Sequence, residues 1–282
     1  NHFAIHHGPV YQHLNFDDVL SQTTAFLAAN PTETVFMRIK EEHTPADNTR
    51  TINETLDEYL KKYNKVFKSP RSFTWNKQLT LGDMRGKIVV IYDGVYGNAE
   101  GYDFGDIPKQ DDYHMKTNWS QYSKWEKIKS FINANNNNSG ITINHLSGSG
   151  GSFPYFVASG HSSAGTSAGR LATGLTTPGW KHRYPDFPRV SCFIGICTIA
   201  FEGTNTLTKN YLNSNEHITD TGIIAADFPG KGLIQSVIQK NRDNFTHHQL
   251  LLKSTGQCVA TQGSTPAAKG AKAIVEQCGR DR

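Results

Sequence analysis

Six side chains in this sequence have the types and positions to do acid–base and anion chemistry: His7, Lys40, Glu42, Asp111, Tyr113 and Asp227. His7 ends the strand-like run Phe3-Ala4-Ile5-His6-His7, immediately before the turn signal Gly8-Pro9. A histidine at the end of a strand is held by rigid backbone yet can reach a ligand. Lys40 ends the run Thr34–Lys40, and Glu42 follows two positions later. Residues two apart in an extended chain point to one side, so Lys40 and Glu42 face together. Asp111 and Tyr113 do the same if their segment is extended. Asp227 closes the run Thr221–Asp227. The set offers a histidine acid or base, a cation for an anionic group, carboxylates that accept hydroxyl hydrogen bonds, and an aromatic ring. It suits a phosphorylated polyol.

Each residue also has a plainer reading. His7 alone is equally a satisfied rim histidine, Lys40 and Glu42 a solvated pair, Asp227 the cap of the next helix, and Tyr113 a packing residue. Clustering at strand ends makes a site the better account of the group.

The elements that must position these residues alternate between strand and helix. Asn15 is a candidate cap for a helix with Asp17 and Asp18 in its first turn. Phe16, Val19, Leu20, Phe26 and Leu27 recur at helical spacing, and Pro31 ends the pattern. Further strands are expected at Thr34–Lys40, 87–92, 141–146, 190–201 and 221–227. Helices are expected near 51–67, 119–134, 205–213 and 233–241. Residues 148–188 are rich in glycine, serine and threonine and read as one long loop. Short strands separated by helices imply parallel pairing. The expected fold is α/β: a distorted TIM-type (β/α) barrel lacking its first strand or strands, over residues 1–243. A small all-β segment, 249–282, follows. A doubly wound open sheet is the competing fold, but no glycine-rich phosphate loop follows a first strand here. In a β/α barrel the carboxyl ends of the strands surround the active site, where His7, Lys40, Glu42 and Asp227 lie.

Composition narrows the function. The 29 Lys and Arg against 25 Asp and Glu give a net charge of +4, with no basic run of the kind that binds nucleic acid. No nucleic-acid partner is expected, and a monomer is. A mildly basic surface favours anionic membranes. The cysteines are Cys192, Cys197, Cys258 and Cys278. Cys192 and Cys197 read equally as buried thiols or as a disulfide. An even, sparse cysteine set in an Asn- and Gly-rich chain favours a secreted protein.

The sequence resembles the bacterial phosphatidylinositol-specific phospholipase C family. The resemblance rests on Ile5-His6-His7-Gly8-Pro9, on the run from Phe26 to Lys40, and on Leu81-Gly82-Asp83-Met84-Arg85-Gly86-Lys87-Ile88-Val89. Gln110-Asp111-Asp112-Tyr113 and Ala226-Asp227-Phe228-Pro229-Gly230 complete it, in order over about residues 1–243. It implies cleavage of phosphatidylinositol, or of inositol lipid anchors, to diacylglycerol and a cyclic inositol phosphate. On that resemblance His7 is the general acid, Asp227 orients an upstream histidine base, and Gly8, Lys40, Glu42, Asp111 and Tyr113 bind substrate. The sequence departs from the family at Tyr92-Asp93, where members tend to carry an arginine. No cofactor is implied, and calcium is left open. The implied partner is a membrane surface containing phosphatidylinositol.

The tail resembles the first repeat of a ricin-type β-trefoil, through Gly256-Gln257-Cys258-Val259 and Val275-Glu276-Gln277-Cys278. That implies a glycan partner and a Cys258–Cys278 disulfide. Two other function classes compete with the lyase. One is a barrel phosphodiesterase acting on glycerophosphodiesters, which normally gathers carboxylates around a metal. The other is a non-catalytic lipid- or glycan-binding protein.

Overall fold

The computed structural model describes residues 2–45, 48–67, 81–138, 140–165, 168–247, 250–252, 257–261 and 273–277, with side chains up to residue 241. The chain divides into two compact units, Asn1–Ile107 and Pro108–Arg282.

The first unit opens with strand β1 (Ala4–His7) and strand β2 (Val10–Asn15), an antiparallel hairpin that pairs His7 with Val10. The sequence reading has no second strand here. Gly8, at φ +57, supplies the left-handed residue that a two-residue hairpin turn needs and that a side chain would resist. Helix α1 (Phe16–Ala29) begins where expected, and the Asp18 carboxylate accepts the Asn15 backbone N–H at 2.9 Å. Phe16, Leu20 and Leu27 are buried, but Phe26, expected in the core, is half exposed.

Strand β3 (Val35–Lys40), helix α2 (Ile52–Lys62), strand β4 (Ile88–Asp93) and strand β5 (Gly101–Asp103) complete the unit. Thr51 and Glu54 cap α2 reciprocally: Thr51 N–H donates to the Glu54 carboxylate at 2.8 Å, and Glu54 N–H donates to the Thr51 hydroxyl at 3.2 Å. The strands β3, β4 and β5 form a parallel sheet in that order, with Lys40 opposite Asp93. All of β4 up to Tyr92 is buried, as a strand covered on both faces must be. Leu20, Leu56, Ile88, Val90 and Tyr92 lie in the core of this unit.

The second unit contains β6 (Lys109–Gln110), β7 (His114–Met115), α3 (Gln121–Asn135), β8 (Ile143–His145), β9 (Ser149–Gly150) and α4 (Pro154–Ser159). Then come β10 (Ala172–Thr176), β11 (Arg189–Phe193), β12 (Ile196–Ala200), α5 (Thr204–Ser214), β13 (Ile223–Ala225) and α6 (Lys231–His247). Strands β6, β8 and β13 form a second parallel sheet with β8 in the centre. Trp125, Ile128, Leu146, Phe156, Phe201 and Leu207 belong to its core.

Two expectations fail here. Residues 148–188 are not one loop, because they hold β9, α4 and β10. Residues 190–201 are not one strand, because β11 and β12 fold back as a hairpin beside β10. Cys192 and Cys197 close that hairpin as a disulfide. The apolar run misleads because a turn at Ile194-Gly195 lacks the polar residues that usually mark one.

Strands β14 (Leu250–Leu252), β15 (Gln257–Thr261) and β16 (Ala273–Gln277) form a separate antiparallel meander. The expected Cys258–Cys278 disulfide lies outside the described residues.

Candidate active site

Four of the expected site residues come together in the first unit. His7 is the exposed last residue of β1, and Gly8 opens the turn that follows. Lys40 is the exposed last residue of β3, and its ammonium lies 3.4 Å from the Glu42 carboxylate. The neighbouring Lys40 holds the Glu42 carboxyl below the usual carboxylate range. The Gly8 backbone N–H and the charge of His7 add to this. The hairpin tip and the end of β3 are therefore adjacent. His6 and His43, one step behind His7 and one beyond Glu42, stack their rings at 5.5 Å. An ion pair this exposed contributes little to stability. It presents a fixed cation and a fixed acceptor beside an imidazole, which is what a polyol bearing an anionic group needs.

At the family's arginine position the chain does something else. Tyr92 is buried, and its hydroxyl donates to the Ala99 carbonyl at 2.8 Å. Asp93 is ion-paired with Arg38 of the neighbouring strand β3. The Arg38 guanidinium also lies 3.7 Å from the centre of the Phe104 ring.

In the second unit, residues 111–113 run between β6 and β7 with alternating direction. Asp112 turns toward α3, where its carboxylate takes the Lys127 ammonium at 2.6 Å and its carbonyl takes Lys124 at 2.8 Å. Asp111 and Tyr113 are left exposed on either side of it, as extended spacing requires. Asp227 lies two residues beyond β13, partly buried, with its carbonyl accepting the Asn205 amide at 2.8 Å. It is not the cap of α6, which starts only at Lys231. Asp111 and Asp227 thus follow the carboxyl ends of the two strands that flank β8. At strand spacing, those ends are roughly 10 Å apart.

Two residues, one in this sheet and one on α3 beside it, leave no mark in the sequence analysis. His145 ends β8, between the strands that carry Asp111 and Asp227. Its signal is the one that singled out His7: a histidine closing an apolar run. Lys124 is fully buried, and its ammonium donates to Gln110 Oε1 at 3.3 Å, to the Asp112 carbonyl at 2.8 Å and to the His145 carbonyl at 2.7 Å. It ties the ends of β6 and β8 to α3. Nothing in the sequence distinguishes it from the exposed lysines of the same helix. Among the described residues, no cluster of three His, Cys, Asp or Glu side chains is placed to hold a metal ion.

Residues 1–93 match the family model for the X domain of phosphatidylinositol-specific phospholipase C. Over more of its length the chain is similar to bacterial enzymes. A 1-phosphatidylinositol phosphodiesterase of Listeria monocytogenes is 27% identical over 252 residues, which cover 85% of this chain and 65% of that protein. A 1-phosphatidylinositol phosphodiesterase of Staphylococcus aureus is 29% identical over 94 residues, 32% of this chain and 29% of that protein. The chain thus spans less than two thirds of the curated relatives it matches. Among solved structures, the phosphatidylinositol-specific phospholipase C of L. monocytogenes superposes with a TM-score of 0.58 at 21% identity, covering 85% of this chain and 74% of that one. A phosphatidylinositol-specific phospholipase C of S. aureus gives 0.54 at 20%, covering 86% and 76%. These likenesses show the fold, a TIM-barrel-type α/β architecture. The family model ends at the carboxyl end of β4, so it covers His7, Gly8, Lys40 and Glu42 and stops short of β5.

Proposed function

We propose that the chain is the catalytic part of a phosphatidylinositol-specific phospholipase C, a phosphorus–oxygen lyase releasing diacylglycerol and a cyclic inositol phosphate. The observation that carries this reading is the grouping of His7, Gly8, Lys40 and Glu42 within the X-domain match. In the proposed reaction the inositol 2-hydroxyl attacks phosphorus and the diacylglycerol oxygen leaves. His7 protonates that oxygen as it departs. Gly8, Lys40, Glu42, Asp111 and Tyr113 bind the headgroup, and Asp227 orients the histidine that serves as base. The test is incubation with phosphatidylinositol vesicles, reading diacylglycerol in the lipid phase and cyclic inositol phosphate in solution. Release of free inositol with metal-dependent turnover would instead indicate a different phosphodiesterase.

The base can be located by comparing residues 1–282 with a chain carrying additional upstream sequence. A gain of several hundredfold or more with the added sequence is the expected result and puts the base there. Equal turnover would put it within residues 1–282, where His145, the last residue of β8, is the candidate besides His7.

Headgroup recognition gives a second test. Lys40→Met and Asp111→Asn each remove a charged partner of a hydroxyl or phosphate, and each is expected to lower kcat/KM by about tenfold to a hundredfold. Titration of the wild type with myo-inositol should shift the amide resonances of residues 40–42 and 111–113. Unperturbed resonances there would refute the assignment.

The domain assignment places the lyase in residues 1–243 and a lectin-like, glycan-binding repeat of the ricin type in 249–282. The antiparallel meander of β14, β15 and β16 supports the second part. The Cys192–Cys197 disulfide supports a secreted protein working in an oxidising compartment.

A further inference from the structure

Among the described residues of the second unit, the tip of the β11–β12 hairpin carries the most exposed apolar pair, Phe193 77% and Ile194 83% exposed, with Ile196 50% exposed beside them. Its backbone is unusual for those side chains. Ile194 and Gly195 are the two central residues of the turn and both have positive φ, +47 and +76. That is the geometry Asn-Gly fills without strain, and a β-branched residue there is disfavoured. The fold therefore keeps a strained isoleucine at a position where a polar residue would be both more stable and more soluble. A strained residue that persists in full solvent points to a contact made elsewhere. The disulfide between Cys192 and Cys197 closes the loop on either side of the tip, so the tip is held in place before any contact forms.

The surroundings of the tip identify the contact. Thr177 pairs with Cys197 through Thr177 N–H to the Cys197 carbonyl, 2.8 Å, and Cys197 N–H to the Thr177 hydroxyl, 2.8 Å. The segment after Thr177 thus starts at the tip end of the sheet. It carries exposed Lys181, His182 and Arg183, with Trp180 partly exposed and the Arg183 guanidinium 4.7 Å from the Trp180 ring centre. The Arg189 guanidinium holds this segment by donating to the carbonyls of Lys181, Tyr184 and Phe187. The acid in the segment, Asp186, is occupied by Lys129 at 2.8 Å and by Trp125 Nε1 at 2.8 Å, which leaves Lys181 and Arg183 as the exposed charges of the segment, beside Trp180.

We propose that this hairpin tip is a membrane-docking element, with Phe193 and Ile194 entering the interfacial region of a bilayer and Lys181 and Arg183 facing anionic lipid headgroups. The feature is a convex knob, not a groove. Its two leading side chains expose on the order of 300 Å², against the ~800 Å² that each partner buries in a stable protein interface. A bilayer needs no such area, because each apolar side chain inserts independently and basic residues near the surface add to the attraction. No residue of the proposed active site enters this argument, so the proposal stands apart from the catalytic reading.

Cosedimentation of the full chain with vesicles of phosphatidylcholine alone, and of phosphatidylcholine with phosphatidylserine, tests it. Phe193→Ser with Ile194→Ser should lower the partition coefficient by about a hundredfold on both vesicle types, tenfold or more per side chain. Lys181→Gln with Arg183→Gln should lower it several-fold on the anionic vesicles alone, and raised salt should mimic that loss. In the wild type, amide hydrogen exchange at residues 193–196 should slow when vesicles are added, a readout that requires no variant to fold. Unchanged partition of F193S/I194S, or unchanged exchange at the tip, would overturn the proposal. So would a change of F193S/I194S from dimer to monomer without any effect on vesicle binding, which would assign the knob to a second copy of the chain.

Discussion

Replacing His7 with alanine is expected to reduce phosphatidylinositol cleavage by about 10²–10⁴-fold while leaving the fold intact. The size follows from the leaving group. An alkoxide of diacylglycerol is a poor leaving group, so in the proposed mechanism the proton from His7 arrives as the phosphorus–oxygen bond breaks. The fold should survive because His7 is exposed at the end of a two-stranded hairpin and is not among the core residues. The decisive comparison uses two substrates. A phosphodiester with a low-pKa phenolic leaving group departs without help, so His7→Ala should slow it much less than the natural lipid. Equal losses on both substrates would mean that His7 positions substrate and does not donate the proton. Near-normal turnover of the lipid would remove His7 from the reaction altogether. The variant should be measured in a chain that turns over phosphatidylinositol, and its circular dichroism should match the parent.

Lys124 should give this protein a rise in stability on the alkaline side. Burial lowers its ammonium from the ordinary 10.5 to about 8, against the opposing pull of Asp112 and Asp111. Below pH 8 both folded and unfolded states hold the proton, and the group contributes no pH dependence. Between about 8 and 10.5 the unfolded chain holds more protons than the folded one, so stability climbs with pH, at most by about 1.4 kcal/mol per pH unit. Burial holds the hydroxyls of Tyr59, Tyr102 and Tyr122 above their ordinary range, so they stay protonated in this window. Denaturant unfolding at pH 7.5, 8.5 and 9.5 should show the wild type gaining on Lys124→Met as pH rises. Parallel profiles for the two proteins would refute the buried, shifted lysine. The variant should also loosen residues 111–113, because the Asp112 and His145 carbonyls lose the ammonium that joins them. Faster amide exchange in that segment would report it.

The hairpin of β11 and β12 and the buried Lys124 share one lesson. Each depends on a partner distant in sequence or on a turn marked by Gly195 alone inside an apolar run, so the local signal is weak. By contrast, the sequence by itself determined α1 and α2, because a cap and an acidic first turn are interactions within a few residues. It determined β4 as well, since a run buried on both faces is apolar along its whole length. The facing of Lys40 and Glu42 was legible for the same reason: the two-residue period of an extended chain is a local property, and the pair is joined at 3.4 Å.

Tertiary structure decided what pairs with what. The run ending at His7 reads as a barrel strand, yet hydrogen bonding commits it to Val10–Asn15 as a hairpin, because Gly8 provides the positive φ that lets the chain reverse at once. It also decided Phe26, which lies on the helical stripe but beyond the reach of the core. Asp227 has the spacing of a helix cap, but α6 starts later and leaves the carboxylate at the end of its strand. A helix face, a strand alternation and a cap are fixed by neighbours along the chain. Which lysine is buried, which aspartate stays exposed and which apolar residues are left in solvent are fixed by elements that meet only on folding.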